Sequence, residues 1–222
     1  QRKVVDFYSS WMAQPAVEAR GIEPLKADIA AINGARTKAD IVKLMGNIDY
    51  GGPIGIYILP NPADPTKYTV GVTQSGLGMP NRDYYLNKGD KFDSYRSAYK
   101  TYVTKILELT GDSAPAASAD AIIALETKLA TVHWAPERQR DVKATNNPVD
   151  RAGLKKIIPA VDWDSMLAVA NLGDVQHFVV NETTAFTDGA KLLDTVPVDT
   201  WKKYLIFHLA SDYAAYLPKA FD

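Results

Sequence analysis

Apolar residues recur at helical spacing along most of the chain. Val4, Phe7, Tyr8, Trp11 and Met12 fall at i, i+3, i+4, i+7 and i+8, on one face of a first helix. Pro24 sits where a first-turn proline is tolerated. Leu25, Ile29 and Ile32 follow it, and Gly34 supplies a stop. Thr37 and Asp40 have the spacing of a capping box ahead of Ile41, Val42, Leu44 and Met45. Three short helices in succession are predicted.

The period changes at Gly51-Gly52-Pro53. Ile54 to Leu59 and Tyr68 to Thr73 are rich in β-branched and aromatic residues, and a Pro/Asn/Asp loop from Asn61 to Lys67 separates them. This predicts a β-hairpin over about residues 54–73, too small to stand alone and so expected to lean on helices. After Gly76, Gly78 and Pro80 the helical period returns. Phe92, Tyr95, Tyr99, Tyr102, Val103, Ile106 and Leu107 form a long stripe that ends near Gly111. Ile122, Leu125, Leu129 and Val132 mark the next helix, and Pro136 to Pro148 reads as loop. Short helices are expected around Leu154–Ile158 and Trp163–Val169, then a strand at Phe178–Val180 and a helix around Ala185–Leu193. The last helix begins with Asp199 in its first turn and carries Trp201, Tyr204, Leu205, Leu209, Tyr213, Tyr216 and Leu217. No repeat, low-complexity tract or linker interrupts the pattern. Residues 1–222 therefore read as one mainly α, multi-helix domain with a small β-hairpin.

Composition narrows the function classes. The 222 residues carry 25 basic and 26 acidic side chains, a net charge of −1 that argues against a nucleic-acid binder. Hydrophobic residues make up 46%, enough for a sizeable core, yet no apolar run approaches the length of a membrane helix. The chain contains no Cys, which excludes a disulfide or a thiol nucleophile. It opens with Gln1 and shows no basic-then-apolar leader, so it is expected to be a processed protein or a piece of a longer one.

Residue chemistry alone yields no complete active site. None of the three His begins an H-E-x-x-H zinc motif. His208 and Asp212 stand at i, i+4, spacing that suits a shared metal or a hydrogen-bonded pair. There is no G-x-G-x-x-G, no G-K-[ST] and no G-x-S-x-G. The tyrosines at 95, 99 and 102 have the helical spacing of a core face, with a ligand-stacking stripe as the alternative. Arg138, Arg140 and Lys143 straddle Glu137 and Asp141, as a solvated or salt-bridged loop would. Asn181-Glu182-Thr183 is a glycosylation sequon if the protein is a secreted eukaryotic one.

One segment is more specific. Gly76-Leu77-Gly78-Met79-Pro80-Asn81-Arg82-Asp83-Tyr84-Tyr85-Leu86 resembles the G-L-G-L-P-x-R-D-Y-Y motif of the neprilysin family of zinc metallopeptidases, which includes endothelin-converting enzymes and bacterial oligopeptidases. Four further segments resemble the family in its own order. They are Phe7-Tyr8-Ser9-Ser10-Trp11-Met12, Ala124-Leu125-Glu126-Thr127-Lys128-Leu129-Ala130, Trp134 with Arg140-Asp141, and Trp201-Lys202-Lys203-Tyr204-Leu205 before Ala215-Tyr216-Leu217. The family's Tyr-Asn pair after that Arg-Asp is replaced by Thr145-Asn146 or Asn146-Asn147.

The resemblance covers essentially the whole chain but only the interior of the family's N-terminal helical region. The family's zinc helices lie beyond the point matching Asp222, and its extreme N-terminal segment precedes Gln1. No zinc ligand or general base carries over, so the resemblance implies a chain with no cofactor of its own and zinc only in the full-length enzyme. It implies a cap that packs on the catalytic domain of the same polypeptide, encloses the active-site chamber and admits only peptides. The alternative is a free-standing, catalytically silent module that binds a peptide or protein. Arg82 and Asp83, after the Gly/Pro turn, are expected to form a buried or partly buried ion pair that locks the turn against a helix, the alternative being contact with substrate or with the catalytic half. Tyr84 and Tyr85 continue that motif. Trp134, Trp201 and Tyr204 are expected as core anchors. Arg138 and Arg140, with Asp141 beside them, are the side chains expected nearest a substrate peptide. An exported or periplasmic location follows from the resemblance, and an apolar patch left uncovered in the chain alone is expected to drive dimerisation.

Overall fold

The computed structural model describes residues 2–222. Helix α1 spans Arg2–Met12, α2 Gln14–Arg20, α3 Lys26–Gly34 and α4 Lys38–Leu44. Pro24 lies in a 3-10 turn, Glu23–Leu25, that leads directly into α3. The predicted capping box forms at α4. The Asp40 N–H donates to Thr37 Oγ1 over 3.1 Å, and the Thr37 N–H to Asp40 Oδ2 over 2.9 Å. The Arg36 N–H, then the Thr37 hydroxyl and N–H, hold the Asp40 carboxyl below the ordinary carboxylate range.

Strands β1 (Ile54–Asn61) and β2 (Asp64–Gln74) form the expected hairpin, longer than the sequence suggests. Pairing continues past Pro60↔Tyr68 to Asn61↔Asp64, with an irregularity at Pro60/Asn61 that tightens the turn. Most of the intervening loop is thereby absorbed into strand.

The helical half resumes with α5 (Asp83–Leu86), α6 (Asp90–Leu109) and α7 (Pro115–Val132). A one-turn α8 (Pro136–Gln139) then leads to β3 (Asn147–Asp150), α9 (Arg151–Ile157), α10 (Trp163–Val169) and β4 (His177–Val180). The sheet has four strands in the order β1-β2-β4-β3, with β4 parallel to β2 and antiparallel to β3. Strand β3 falls at the end of the segment read as loop. Its Pro148 cannot donate to a ladder, and the strand is tolerated because it lies at the sheet edge. The expected hairpin is thus half of a mixed sheet.

Helix α11 (Thr183–Thr195) packs on α7, and α12 (Val198–Asp212) packs against α3, α4, α6 and α7. Eight residues of α12 are buried, Trp201 and Tyr204 through Ala210, so it is apolar on nearly all sides as a central helix must be. It ends earlier than predicted, at Asp212, and Ala214–Tyr216 forms a separate 3-10 turn. Lys38 fastens the α4 start to the end of α11, its ammonium taking the carbonyls of Leu193, Asp194 and Val196.

Helix α1 is different. It forms as its spacing predicts, yet it has no buried residue. Val4, Val5, Phe7, Tyr8 and Met12 are all more than half exposed, and Trp11 is 44% exposed. Its one aromatic neighbour is Tyr216, edge-on to Trp11 at 5.5 Å between ring centroids.

Candidate functional site

Three of the segments that resemble the family motifs, those of Tyr85, Glu126 and Tyr204, meet around one buried carboxylate. Glu126, on α7, has no exposed surface. Its oxygens accept from the Tyr85 hydroxyl at 2.7 Å, the Tyr99 hydroxyl at 2.8 Å and His208 Nε2 at 2.8 Å. Since the carboxylate accepts, Nε2 carries the proton. The Tyr85 hydroxyl also accepts from the Met79 N–H at 2.9 Å, which ties the Gly/Pro turn to the network. Tyr204 stacks near His208, ring centroids 4.3 Å apart, and donates to the Gly76 carbonyl at 2.7 Å. Burial, then the Glu126 charge, pushes the Tyr85, Tyr99 and Tyr204 hydroxyls far above the ordinary phenol range, so they remain donors. A buried charge survives when its oxygens are saturated, and this one is.

This centre explains the motif's glycines. Gly76 has φ +85°, and a Cβ there would overlap the Tyr204 hydroxyl. A Cβ on Gly78 would overlap the Tyr99 hydroxyl. The turn must pass this close for its carbonyl and N–H groups to reach the tyrosines.

Arg82 does lock the turn against a helix, but not through the expected ion pair. Its Nε donates to the Ala130 carbonyl near the end of α7 at 3.1 Å. Asp83 starts α5, where its N–H donates to Asn81 Oδ1 at 2.9 Å. A carbonyl at a helix C-terminus is a good partner for a guanidinium, and the local chain points Asp83 elsewhere. Tyr84 is half-buried in an aromatic cluster with Phe92 and Tyr95, and Tyr85 is in the core. Tyr95 itself is 40% exposed whereas Tyr99 is buried, so the tyrosine stripe is a core edge. The His208/Asp212 pair does not converge on a metal. His208 turns Nε2 to Glu126, and among the described residues no group of three or more His, Asp or Glu is placed to hold an ion.

A second polar layer runs along the sheet. Glu182 is buried and accepts from Thr73 Oγ1 at 3.0 Å, the Gln74 N–H at 2.9 Å and Gln139 Nε2 at 3.1 Å. Gln74 clasps the Trp134 backbone, accepting its N–H at 2.7 Å and donating to its carbonyl at 3.1 Å. Trp134 is buried as expected, and the Arg138 guanidinium stacks over its ring at 3.5 Å. Arg140 is exposed on the same loop, and Asp141 shapes it by accepting from the Lys143 and Ala144 N–H groups. Trp201 and Tyr204 are fully buried, edge-to-face at 5.4 Å. The sequon's Asn181 amide donates to the Tyr57 hydroxyl at 2.8 Å, beside the buried Glu182.

Between these layers lies a polar cleft of about 180 Å³ with Ser75, Asn81, Arg82, His133 and Gln139 on its walls. His133 is half-buried, with an apolar cavity lined by Leu129, Val132 and Phe186 at its other side. Burial, with the Arg82 charge added, pulls its pKa down to about 4. The unfolded chain takes up this proton near pH 6.5, the folded one only near 4, so the stability is complete above pH 6.5 and lost as pH falls toward 4. Between pH 7 and pH 4 the protein is expected to lose about 2 kcal/mol more than a His133→Gln variant. Urea unfolding of both at several pH values checks this, and parallel curves would refute it.

Comparison with known proteins matches this architecture. The sequence profile of the N-terminal region of peptidase family M13 covers residues 1–222. The chain belongs to peptidase family M13. It is 23% identical to endothelin-converting enzyme 1 of Cavia porcellus over 238 residues, covering 100% of this chain and 31% of that protein. Endothelin-converting enzyme-like 1 of Mus musculus is 23% identical with the same coverage, 100% and 31%. Among solved structures, the Mycobacterium tuberculosis zinc metalloprotease Zmp1 in its open state superposes with a TM-score of 0.90 at 29% identity, over 97% of this chain and 34% of that one. The M13 chain described here therefore spans about a third of the length of these relatives. Glu126 is the residue of this site whose role sequence reasoning missed. The signal was its position: it lies at i+4 from Ile122 and i−3 from Leu129, a lone carboxylate on an apolar stripe. Glu182, Gln74 and Lys38 carry no such signal, because their partners are distant in sequence.

Proposed function

We propose that this chain is the non-catalytic cap of an M13 zinc endopeptidase, packed on the catalytic part of the same polypeptide and limiting the active-site chamber to peptides. The observation that carries this reading is α1. An amphipathic helix with Phe7, Tyr8, Trp11 and Met12 facing solvent is an apolar surface of the kind that marks an interface. Tyr216 sits against it, and Phe7, Trp11, Tyr216 and Leu217 share one groove. Relatives about three times as long supply a body to cover it. Closure of this kind excludes water and large substrates and supplies no nucleophile. Zinc and peptide hydrolysis belong, in this reading, to the longer protein, with Arg138 and Arg140 proposed as the loop side chains that meet a peptide.

Phe7→Glu with Trp11→Glu tests it. The 222-residue chain is expected to self-associate through α1 in light scattering, and the double variant to be monomeric. Because α1 contributes nothing to the core, each substitution should change stability by no more than about 0.5 kcal/mol. In a protein of the relatives' length the same pair should open the boundary to limited proteolysis and lower peptide turnover. Unchanged proteolysis and turnover, or peptidase activity with one bound zinc in the 222-residue chain alone, would overturn the proposal.

A further inference from the structure

The cleft beside the motif turn holds hydrogen-bond donors that have no partner among the described residues. Arg82 uses Nε on the Ala130 carbonyl, and among the described residues its two terminal nitrogens have no partner and no carboxylate within salt-bridge distance. The Ser75 hydroxyl and the His133 ring likewise make no hydrogen bond among those residues. Of the residues lining the cleft and the cavity on either side of His133, Arg82 is the charged one. Glu182, on the adjoining polar layer, accepts from Thr73, Gln74 and Gln139 instead. A half-buried guanidinium in a cleft with no acid on its walls is an incomplete pair.

We propose that this cleft is a carboxylate-binding site, with the terminal nitrogens of Arg82 as its fork and Ser75 Oγ and His133 as flanking donors. Its volume of about 180 Å³ is large enough to admit a carboxylate. The carboxylate comes either from the C-terminus of a bound peptide or from an Asp or Glu side chain elsewhere in a longer polypeptide. The site does not rest on the docking of α1, and failure of the Phe7/Trp11 test leaves it standing.

His133 reports on the site, because an anion beside it relieves the repulsion from Arg82 and stabilises the imidazolium. The test follows the His133 ring by NMR in the 222-residue chain, first with acetate, then with a short acetylated peptide acid and the same peptide as its C-terminal amide. The acid is expected to shift the resonance saturably and raise the His133 pKa by about one unit, and the amide to do neither. Arg82→Gln should weaken binding at least about tenfold, the loss of a charge-assisted pair. Since Arg82 also holds the turn, Ser75→Ala serves as a second variant, with binding about threefold weaker and an unchanged melting temperature. Equal response to acid and amide, or no response, overturns the proposal. In a protein of the relatives' length the arms separate the sources. A His133 pKa already raised without ligand identifies an internal carboxylate, and continued response to the peptide acid identifies a substrate one. A His133 that shows neither overturns the site.

Discussion

Glu126→Ala is expected to remove about 3–5 kcal/mol of stability, the range seen when one partner of a buried pair is deleted. The carboxylate is the common acceptor for Tyr85, Tyr99 and His208, each reaching it within 2.8 Å, and a methyl group satisfies none of them. Against a typical total of about 5–15 kcal/mol, such a loss leaves a large unfolded fraction. Glu126→Gln keeps one acceptor oxygen but turns an amide donor toward other donors, and should cost about half as much. Urea denaturation followed by circular dichroism measures both. A Glu126→Ala midpoint within experimental error of the wild type would show that the network carries no weight.

The second large effect is expected at the motif turn. Gly76→Ala combines a left-handed backbone, φ +85°, with a Cβ that overlaps the Tyr204 hydroxyl and lies 2.9 Å from the Pro53 Cα. The Tyr204 hydroxyl is held by its bond to the Gly76 carbonyl, and the Pro53 contact is with backbone, which yields less readily than the end of a flexible side chain. Strain and overpacking together should cost about 2–5 kcal/mol. Gly111→Ala is the control. It has nearly the same conformation, φ +83°, with no atom within 4 Å of the added Cβ, so it should lose only the backbone part, about 1 kcal/mol. Gly78→Ala should be non-additive with Tyr99→Phe, because both act on the hydroxyl that reaches Glu126. Equal losses at Gly76 and Gly111 would refute the close-approach account.

Local physics made much of this fold legible. The i, i+3, i+4 spacing located α3, α6, α7 and α12, the Thr37/Asp40 box began α4, and the β-branched runs located the hairpin. Strand β3 escaped because four residues that include a proline carry no period and owe their conformation to β4 alone. The end of α12 was overrun because Tyr213, Tyr216 and Leu217 continue its apolar spacing into a 3-10 turn. The ion pair expected at Arg82-Asp83 rested on adjacency, but neighbouring side chains rarely face one another, and a helix-end carbonyl 48 positions away took the guanidinium.

What the sequence determined by itself was element type, the mainly α class and the family, since each depends on residues close together or on ordered motifs. What only the tertiary structure decided was which residues of those motifs meet. Glu126 joins Tyr85, Tyr99 and His208 across 41, 27 and 82 positions. The same holds for α1, whose spacing announces an apolar face without saying what covers it. Periodicity is a property of one segment, whereas burial and hydrogen-bond saturation are properties of the packed whole.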